Sequence, residues 1–151
     1  MATNLYGPGD NFSASTSHLL PALIRRYEEA RAGGVPKVTN WGTGTPRREL
    51  LHVDDLASAC LYLLEHFDGP KPVNVAPAST TACARSPRWW PARWVTPAKP
   101  TGIQPNRTER PRKLLDVSVL REAGWQSRIT LREGIDSTVA WYRANAGAVR
   151  K

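Results

Sequence analysis

Amphipathic helical segments alternate with short apolar segments over most of this chain, and no other feature restricts its fold as strongly. In residues 15–34, STSHLLPALIRRYEEARAGG, apolar residues recur at three- and four-residue spacing, Pro21 falls in the first turn and Gly33-Gly34 follows the last. We predict a helix there, capped by Ser15 or Ser17. Its buried face is expected to hold Leu20, Leu23, Ile24 and Tyr27.

The same periodicity predicts three further helices. The helix in HVDDLASACLYLLEHF is opened by Asp54 or Asp55, and a short helix in DVSVLREAGW is capped by Asp116 or Ser118. The residues expected to face inward from the first of these are Leu56, Ala59, Cys60, Leu63 and Leu64. Those expected to face inward from the C-terminal helix, in ITLREGIDSTVAWYRANA, are Leu131, Ile135, Val139 and Trp141 or Tyr142.

Short strands are predicted between these helices, in the segments ATNLY, KVTNW, RRELL, KPVNV and PRKLL. Strands that alternate with helices predict an α/β protein. A chain of 151 residues is long enough to bury one core, so we expect a single domain.

Charge and cysteine content narrow the function class. The chain has 21 basic and 13 acidic residues, and residues 76–110 carry +5 of the net charge of +8. The cysteines, Cys60 and Cys83, have no metal-ligand spacing, so neither a zinc site nor a disulfide framework is expected. Because no apolar run reaches the roughly 18 residues that span a bilayer and no signal pattern is visible, we expect a cytoplasmic protein with no membrane partner.

Polar residues next to the predicted turns are the candidates for chemistry. His18, at the start of the first helix, is suited to acid or base catalysis, or is a polar helix-end residue without a task. Arg26 lies about two helical turns further on, where it contacts either an anionic ligand or solvent. In NWGTGTPRREL, Trp41 with Arg47 and Arg48 suits a base, a sugar and a phosphate, although a solvated turn has the same composition.

Two other patterns have structural rather than chemical interpretations. The glycines of WGTGTP do not form a phosphate-binding P-loop, because no Lys-Ser or Lys-Thr follows them. The HVDD sequence is more typical of a helix cap than of a metal site, since one histidine and two adjacent carboxylates leave the coordination incomplete.

Four motifs, TNLYGPGDNF, SHLLPALIRR, WGTGTPRRELLHVDDLA and PRKLLDVSVLREAGW, resemble the GDP-L-fucose synthases, which are extended short-chain dehydrogenases with a Rossmann-type fold. The resemblance implies NADPH-dependent epimerisation and reduction of GDP-4-keto-6-deoxy-mannose, and a homodimer. It implies that His18 is the general acid in epimerisation and also contacts the cofactor, NADP(H). It further implies GDP-sugar contacts from Arg26, Trp41 and Arg48, and a nicotinamide-side segment formed by Ala2, Thr3, Asn4 and Leu5.

The chain departs from this family in its inventory of catalytic residues. The family's Gly-rich nucleotide loop and its catalytic Ser, Cys, Tyr and Lys have no counterpart here, and Ala2 stands where the family usually has Pro. Without the Tyr and Lys, hydride transfer lacks its acid partner. We therefore expect residues 1–75 and 111–151 to form a partial substrate-binding lobe that lacks the N-terminal Rossmann domain and is inactive as an isolated chain.

Residues 76–110 interrupt the resemblance. They contain no Leu, Met or Phe, and they hold six prolines and three tryptophans without apolar periodicity. Suitable codons for this stretch, shifted by one frame, encode family-like Gly-Thr-Gly, a helix, and Lys-Pro-Asp-Gly. We therefore expect an out-of-frame, disordered insert and no nucleic-acid partner. The alternative is a nucleic-acid-binding surface formed by Arg85, Arg88, Trp89, Trp90, Arg93 and Trp94.

Overall fold

The computed structural model describes residues 1–35, 37–38, 47–77, 81–82, 99–100 and 114–148. In chain order the elements are β1 (Asn4–Tyr6), α1 (Leu19–Ala32), β2 (Lys37–Val38), β3 (Arg47–Arg48), β4 (Leu50–His52), α2 (Val53–His66), β5 (Thr81–Ala82), β6 (Lys99–Pro100), α3 (Ser118–Glu122) and α4 (Leu131–Ala144). The predicted alternation of strands and helices is therefore confirmed. Within these residues, no helix has the length and apolar character needed to cross a membrane.

Strands β1 and β4 pair in parallel, and their alternating side chains separate two cores. Leu5 pairs with Leu51, and Tyr6 pairs with His52. Because successive side chains of a strand point to opposite faces, these two pairs lie on opposite sides of the sheet. The Tyr6 face packs against α1 and α4 with Phe12, Leu20, Ile24, Ile135 and Val139. The Leu51 face packs against α2 and α3 with Ala59, Val75, Leu120 and Trp125.

The remaining strand pairs are two residues long. Strand β2 pairs in parallel with β6, and β3 pairs antiparallel with β5. The predicted KPVNV strand is wrong as an element, because the described chain has only an isolated bridge there, between Ala2 and Val75. The predicted strand before α3 is also wrong over residues 114–117, which are irregular. Their backbone hydrogen bonds go partly to side chains, such as that of Glu49, rather than to a neighbouring strand.

The predicted helix caps are wrong in detail. The N-cap of α1 is His18 rather than Ser15 or Ser17, and its side chain makes no capping bond. The N-cap of α2 is His52, whose Nδ1 accepts a hydrogen bond of 3.3 Å from the Asp54 N–H. Because an aromatic ring nitrogen can replace a carboxylate or hydroxyl as the acceptor, the preference for Asp at caps misplaced the start of α2 by two or three residues.

The short helix α3 is also capped differently from the prediction. Its N-cap is Val117, although the Asp116 carboxylate does accept a 2.9 Å hydrogen bond from the Ser118 N–H. In the C-terminal helix α4, by contrast, the inward positions are confirmed: Ile135 and Val139 are fully buried, while Leu131, Trp141 and Tyr142 pack against them.

The buried stripe of α2 is narrower than predicted. Ala59 is fully buried and Leu56 and Leu63 pack on the same core, but Cys60 is exposed and Leu64 is 83% exposed. Residues 56, 59 and 63 follow the helical period closely, whereas residues 60 and 64 are rotated away from the strand pair. The prediction for Cys60 and Leu64 is therefore wrong.

A buried ion pair joins the first and last helices. Glu28 of α1 is only 4% exposed, and its carboxylate accepts two hydrogen bonds from Arg143 of α4, at 2.7 and 2.8 Å. Arg31 adds a third, at 3.1 Å. A bidentate contact restricts both the distance and the angle between the two side chains. It therefore holds α1 and α4 in a defined arrangement on the Tyr6 face of the sheet.

Candidate functional site

The segment 2–5 lies along the start of β1 and is held by the backbone on one side. The Thr3 N–H donates a 3.1 Å hydrogen bond to the Val75 carbonyl, and the Val75 N–H donates one of 2.8 Å to the Met1 carbonyl. Ala2 is exposed, and Thr3, Asn4 and Leu5 are half-buried. The segment is thus fixed in extended conformation with its side chains only partly covered.

Glu49 fixes the other side of this segment. The Asn4 Nδ2 donates a 3.0 Å hydrogen bond to the Glu49 carbonyl oxygen. The Thr3 hydroxyl lies 3.3 Å from both that carbonyl oxygen and Oε2 of the Glu49 carboxylate, and so donates to one of the two. The backbone N–H of Leu115 donates to the same Oε2 at 3.1 Å. One residue therefore connects β1, β4 and the segment before α3.

Little in the local sequence around Glu49 indicates this role. Glu49 follows Arg47 and Arg48, an arrangement typical of solvated charge pairs, yet it is only 1% exposed. The available signal was its position directly before the apolar strand β4, where the chain enters the core. Only the pairing of β4 with β1 shows that the Glu49 carboxylate faces Thr3.

The loop 7–18 carries His18 and is anchored by Phe12. Phe12 is fully buried, and the centroid of its ring lies 5.9 Å from that of the Trp141 ring and 4.9 Å from that of the Tyr142 ring. Arg25 of α1 donates a 3.1 Å hydrogen bond to the Phe12 carbonyl. A buried aromatic residue and a backbone contact thus hold the middle of the loop, leaving its polar ends nearer to solvent.

The ends of that loop are shaped by local polar contacts. Gly9 adopts a positive φ of 79°, which a glycine tolerates without steric cost, and the Asp10 N–H donates to the Gly7 carbonyl. The Asn11 side chain donates a 3.0 Å hydrogen bond to the Thr16 hydroxyl. These contacts close the loop so that Asp10 comes within electrostatic range of His18.

His18 is exposed at the N-cap of α1, and its ring makes no capping bond. Burial raises the pKa of the neighbouring Asp10 carboxyl above its usual value, while the hydrogen bond from the Asn11 N–H and the His18 charge act in the opposite direction. An accessible imidazole beside a carboxyl group in a fixed loop is suited to proton transfer.

The predicted anion-binding residues are described only in part. Arg26 is half-buried on α1, and Arg48 is half-buried in β3, where its Nη1 donates a 2.9 Å hydrogen bond to the Arg47 carbonyl. Trp41 lies outside the described residues. Arg48 directly precedes Glu49, so the structure brings Arg48 to the same end of the sheet as Thr3 and Asn4. His18 follows the opposite end of β1.

The HVDD sequence acts as a helix start and an anchor. His52 caps α2, and the buried Asp55 accepts hydrogen bonds from the backbone N–H groups of Arg128 and Ile129, at 3.0 and 3.1 Å. No group of three metal-ligating side chains occurs in the part of the chain that the structure describes. The HVDD sequence thus contains the start of α2, but the cap is His52 rather than the predicted aspartate.

His52 also contacts Ser137, but the pair lacks the geometry of a hydrolytic triad. The Ser137 hydroxyl donates its proton to the Gly134 carbonyl at 2.9 Å, and it lies 3.4 Å from Nε2 of His52. The other ring nitrogen, Nδ1, lies 3.3 Å from the Asp54 N–H and 3.6 Å from an oxygen of the Asp54 carboxylate, which is too long for the carboxylate hydrogen bond of a triad. These contacts stabilise the start of α2 rather than activate a nucleophile.

A cavity of about 300 Å³ lies apart from the predicted site residues. Leu50, Pro77 and residues 127–131 line it. Two backbone N–H groups of this lining are already bound by Asp55, and Thr130 is bound to Glu133 in the cap of α4. The polar groups that line the cavity are therefore largely hydrogen-bonded within the protein already.

Comparison with known protein families decides the relationship. The model of the NAD dependent epimerase/dehydratase family matches residues 1–76, which is half of the chain. The chain belongs to that family. The match covers the segment 2–5, the loop that carries His18, Arg26, Arg48, Glu49 and the whole of α2.

Individual curated proteins are similar along more of the chain than the family model matches. The chain is 42% identical to a probable GDP-L-fucose synthase 1 from Oryza sativa subsp. japonica and 41% identical to GDP-L-fucose synthase 1 from Arabidopsis thaliana, over 100% and 96% of its own length. It covers 46% and 45% of those relatives, so it spans about half the length of the curated proteins that it matches. The predicted resemblance is therefore confirmed.

The fold agrees with solved structures. A GDP-L-fucose synthetase from Naegleria fowleri bound to NADP superposes with a TM-score of 0.82, covering 99% of this chain and 46% of that one at 23% identity. The predicted fold class, an α/β fold of the Rossmann type, is confirmed.

Proposed function

We propose that this chain carries the sugar-nucleotide part of a GDP-L-fucose synthase, which epimerises and then reduces GDP-4-keto-6-deoxy-D-mannose with NADPH. The observation that supports this most strongly is the 39–42% identity to GDP-L-fucose synthases of two plants and Escherichia coli (strain K12) along almost the whole chain. The geometry agrees, since the segment 2–5 and the loop 7–18 are both fixed by buried residues.

In this proposal His18 is the general acid of epimerisation. A 4-keto group acidifies the C–H bonds at the neighbouring carbons, so inversion requires a group that returns a proton from the opposite face of the sugar. His18 suits this role because its ring is exposed and makes no capping bond. The anchored loop fixes its position, and Asp10 provides a nearby carboxyl group.

Arg26 and Arg48 are proposed to bind the diphosphate of the GDP-sugar, with Trp41 stacking on its base or sugar. Guanidinium groups match phosphate oxygens in pairs and stay charged at any physiological pH. Both arginines are half-buried, so part of the cost of ordering their side chains is met before a ligand arrives.

The proposed cofactor is NADP(H). Its nicotinamide end is proposed to lie against the segment formed by Ala2, Thr3, Asn4 and Leu5. The residues fit such a group: the segment is extended and bonded on both edges, Thr3, Asn4 and Leu5 are half-buried, and a buried oxygen of Glu49 behind them has no hydrogen-bond partner among the described residues. When bound, the cofactor supplies the hydride for reduction. This chain's residues hold its nicotinamide end in place.

The assembly proposed here is a homodimer in the cytoplasm, where nucleotide sugars are available. Residues 1–75 and 111–151 form the substrate-binding lobe in this proposal, and 76–110 is translated out of frame. Sequencing the gene through the codons for 76–110 tests the latter: an open frame that encodes Gly-Thr-Gly after Val75 supports it. A verified sequence together with strong amide protection throughout 76–110 contradicts it.

Binding of a GDP-sugar tests the function itself. We expect the purified chain to bind GDP-mannose in a calorimetric titration, and Arg48→Ala to weaken that binding about tenfold or more because a charged hydrogen-bonding group is lost. Arg132→Ala, at an exposed position of α4, is the matched control and should bind as the unmodified chain does. Equal affinities for all three proteins would contradict the assignment of Arg48.

A further inference from the structure

The Glu49 carboxylate is buried with only one of its two oxygens bonded. Oε2 accepts a hydrogen bond from the Leu115 N–H at 3.1 Å and lies 3.3 Å from the Thr3 hydroxyl, which donates either to it or to the Glu49 carbonyl oxygen. Oε1 is completely covered and has no partner in the described part of the chain. Nor does an ion pair join Glu49 to a cation within those residues.

This arrangement is costly for a purely structural residue. A buried carboxylate oxygen that loses water without gaining a donor destabilises the folded state. A glutamine would preserve both contacts, because its side-chain oxygen can occupy the place of Oε2. The hydrogen bonds therefore do not require the negative charge, and the charge calls for a separate explanation.

The surroundings of Glu49 indicate where that charge acts. Its carbonyl and carboxylate bind the side chains of Thr3 and Asn4, so it lies directly behind the segment 2–5. A charge on Glu49 interacts with a group on the exposed side of that segment through protein rather than through water. Because the effective dielectric constant of protein is lower than that of water, this Coulomb interaction is only weakly screened.

We propose that Glu49 provides a fixed negative charge behind the segment 2–5 that stabilises the oxidised, positively charged nicotinamide ring over the reduced, neutral one. The inference rests on the proposed function, since only that function brings nicotinamide to Thr3 and Asn4. Glu49 is a positioning residue here, because it acts across the segment that it holds and touches no reacting atom. Its charge lowers the energy of the oxidised product of the reductive step.

The test compares two probes that differ by this one charge, oxidised and reduced nicotinamide mononucleotide, titrated into the full chain and followed by NMR. We expect Glu49→Gln to weaken binding of the oxidised form about tenfold, the size expected for a unit charge roughly 12 Å away at an effective dielectric constant of about 20. Binding of the reduced form should change less than twofold. Glu65→Gln removes the same charge from an exposed position of α2 and should change neither affinity.

Thermal unfolding separates charge from hydrogen bonding. Glu49→Gln should melt at or above the temperature of the unmodified chain, whereas Glu49→Ala, which loses both contacts of Oε2, should melt lower. If Glu49→Gln unfolds, the charge is needed for the fold and the inference is overturned.

The binding outcomes distinguish this inference from the proposed function. If the unmodified chain binds neither probe, the cofactor assignment of segment 2–5 fails, and the inference fails with it. If it binds both and Glu49→Gln leaves their ratio unchanged, only the inference is overturned.

Discussion

The carboxylate of Asp55, in the first turn of α2, accepts a 3.0 Å hydrogen bond from the backbone N–H of Arg128, 73 residues further along the chain. Its second oxygen accepts the Ile129 N–H at 3.1 Å. One side chain thus satisfies two backbone donors in the turn that precedes α4. The position of α4 on the sheet depends on this contact.

Replacing Asp55 should therefore destabilise the whole fold. We expect Asp55→Ala to lower the free energy of unfolding by about 1–3 kcal/mol, because two partly buried backbone N–H groups lose their acceptors. Urea denaturation followed by circular dichroism measures this. Asp54→Ala is the control: Asp54 is 75% exposed, so its loss should cost much less. Similar values for both variants would show that the Asp55 contact is not important for stability.

Gly134 is required by the packing of α4 on β1. An ideal Cβ at this position would overlap the Tyr6 hydroxyl and lie 3.0 Å from Cδ2 of His52. Alanine is favoured over glycine within a helix by about 1 kcal/mol, yet we expect Gly134→Ala to be destabilising, by about 1–3 kcal/mol, because the overlap displaces buried rings. Gly147→Ala, where nothing lies within 4 Å, should be close to neutral. A stabilising Gly134→Ala would contradict this account of the packing.

The cap of α4 should make stability depend on acid pH. Glu133 and Thr130 form a capping box, and hydrogen bonds from the Thr130 side chain and backbone lower the pKa of the Glu133 carboxyl below 4.5. Because the ionised form is favoured by folding, its contribution is complete above the unfolded pKa and disappears as the pH falls through the folded one. We expect thermal melts of Glu133→Gln to lose less stability than the unmodified chain between neutral pH and pH 3. Parallel curves would exclude this contribution.

Asp10 should have the opposite pH dependence. Burial raises the pKa of its carboxyl above 3.8, so ionisation is less favourable in the folded chain than in the unfolded one. The associated stability is present at low pH and is lost as the pH rises through the folded pKa. We therefore expect Asp10→Asn to raise the melting temperature at pH 7, since asparagine can still accept the Asn11 N–H.

The exposed Asp68→Asn serves as the control for this measurement and should leave the melting temperature unchanged. A lower melting temperature for Asp10→Asn at pH 7 would show that its charge stabilises the loop instead. A gain in stability when Asp10 is replaced would also be consistent with a residue that is retained for its chemistry near His18 rather than for stability.

Local sequence pattern was sufficient for the helices. The spacing of Leu20 and Ile24 located α1, and that of Ile135 and Val139 located α4, because a regular apolar period defines one buried face whatever lies against it. The motifs around His18 and Arg48 were sufficient for the family, since those stretches are contiguous in the chain. Helix caps were predicted less well, because His52 caps α2 by a ring nitrogen that preference rules do not anticipate.

Tertiary structure alone decided which charged groups are buried. Asp55 and Glu49 each lie next to another charged residue in the sequence, and nothing local distinguishes them from solvated charges. Their burial depends on donors far along the chain, Arg128 and Ile129 for Asp55, and Thr3 and Leu115 for Glu49. A carboxylate can enter a core only where such donors converge, and that convergence exists only once β1, β4 and α4 have packed together.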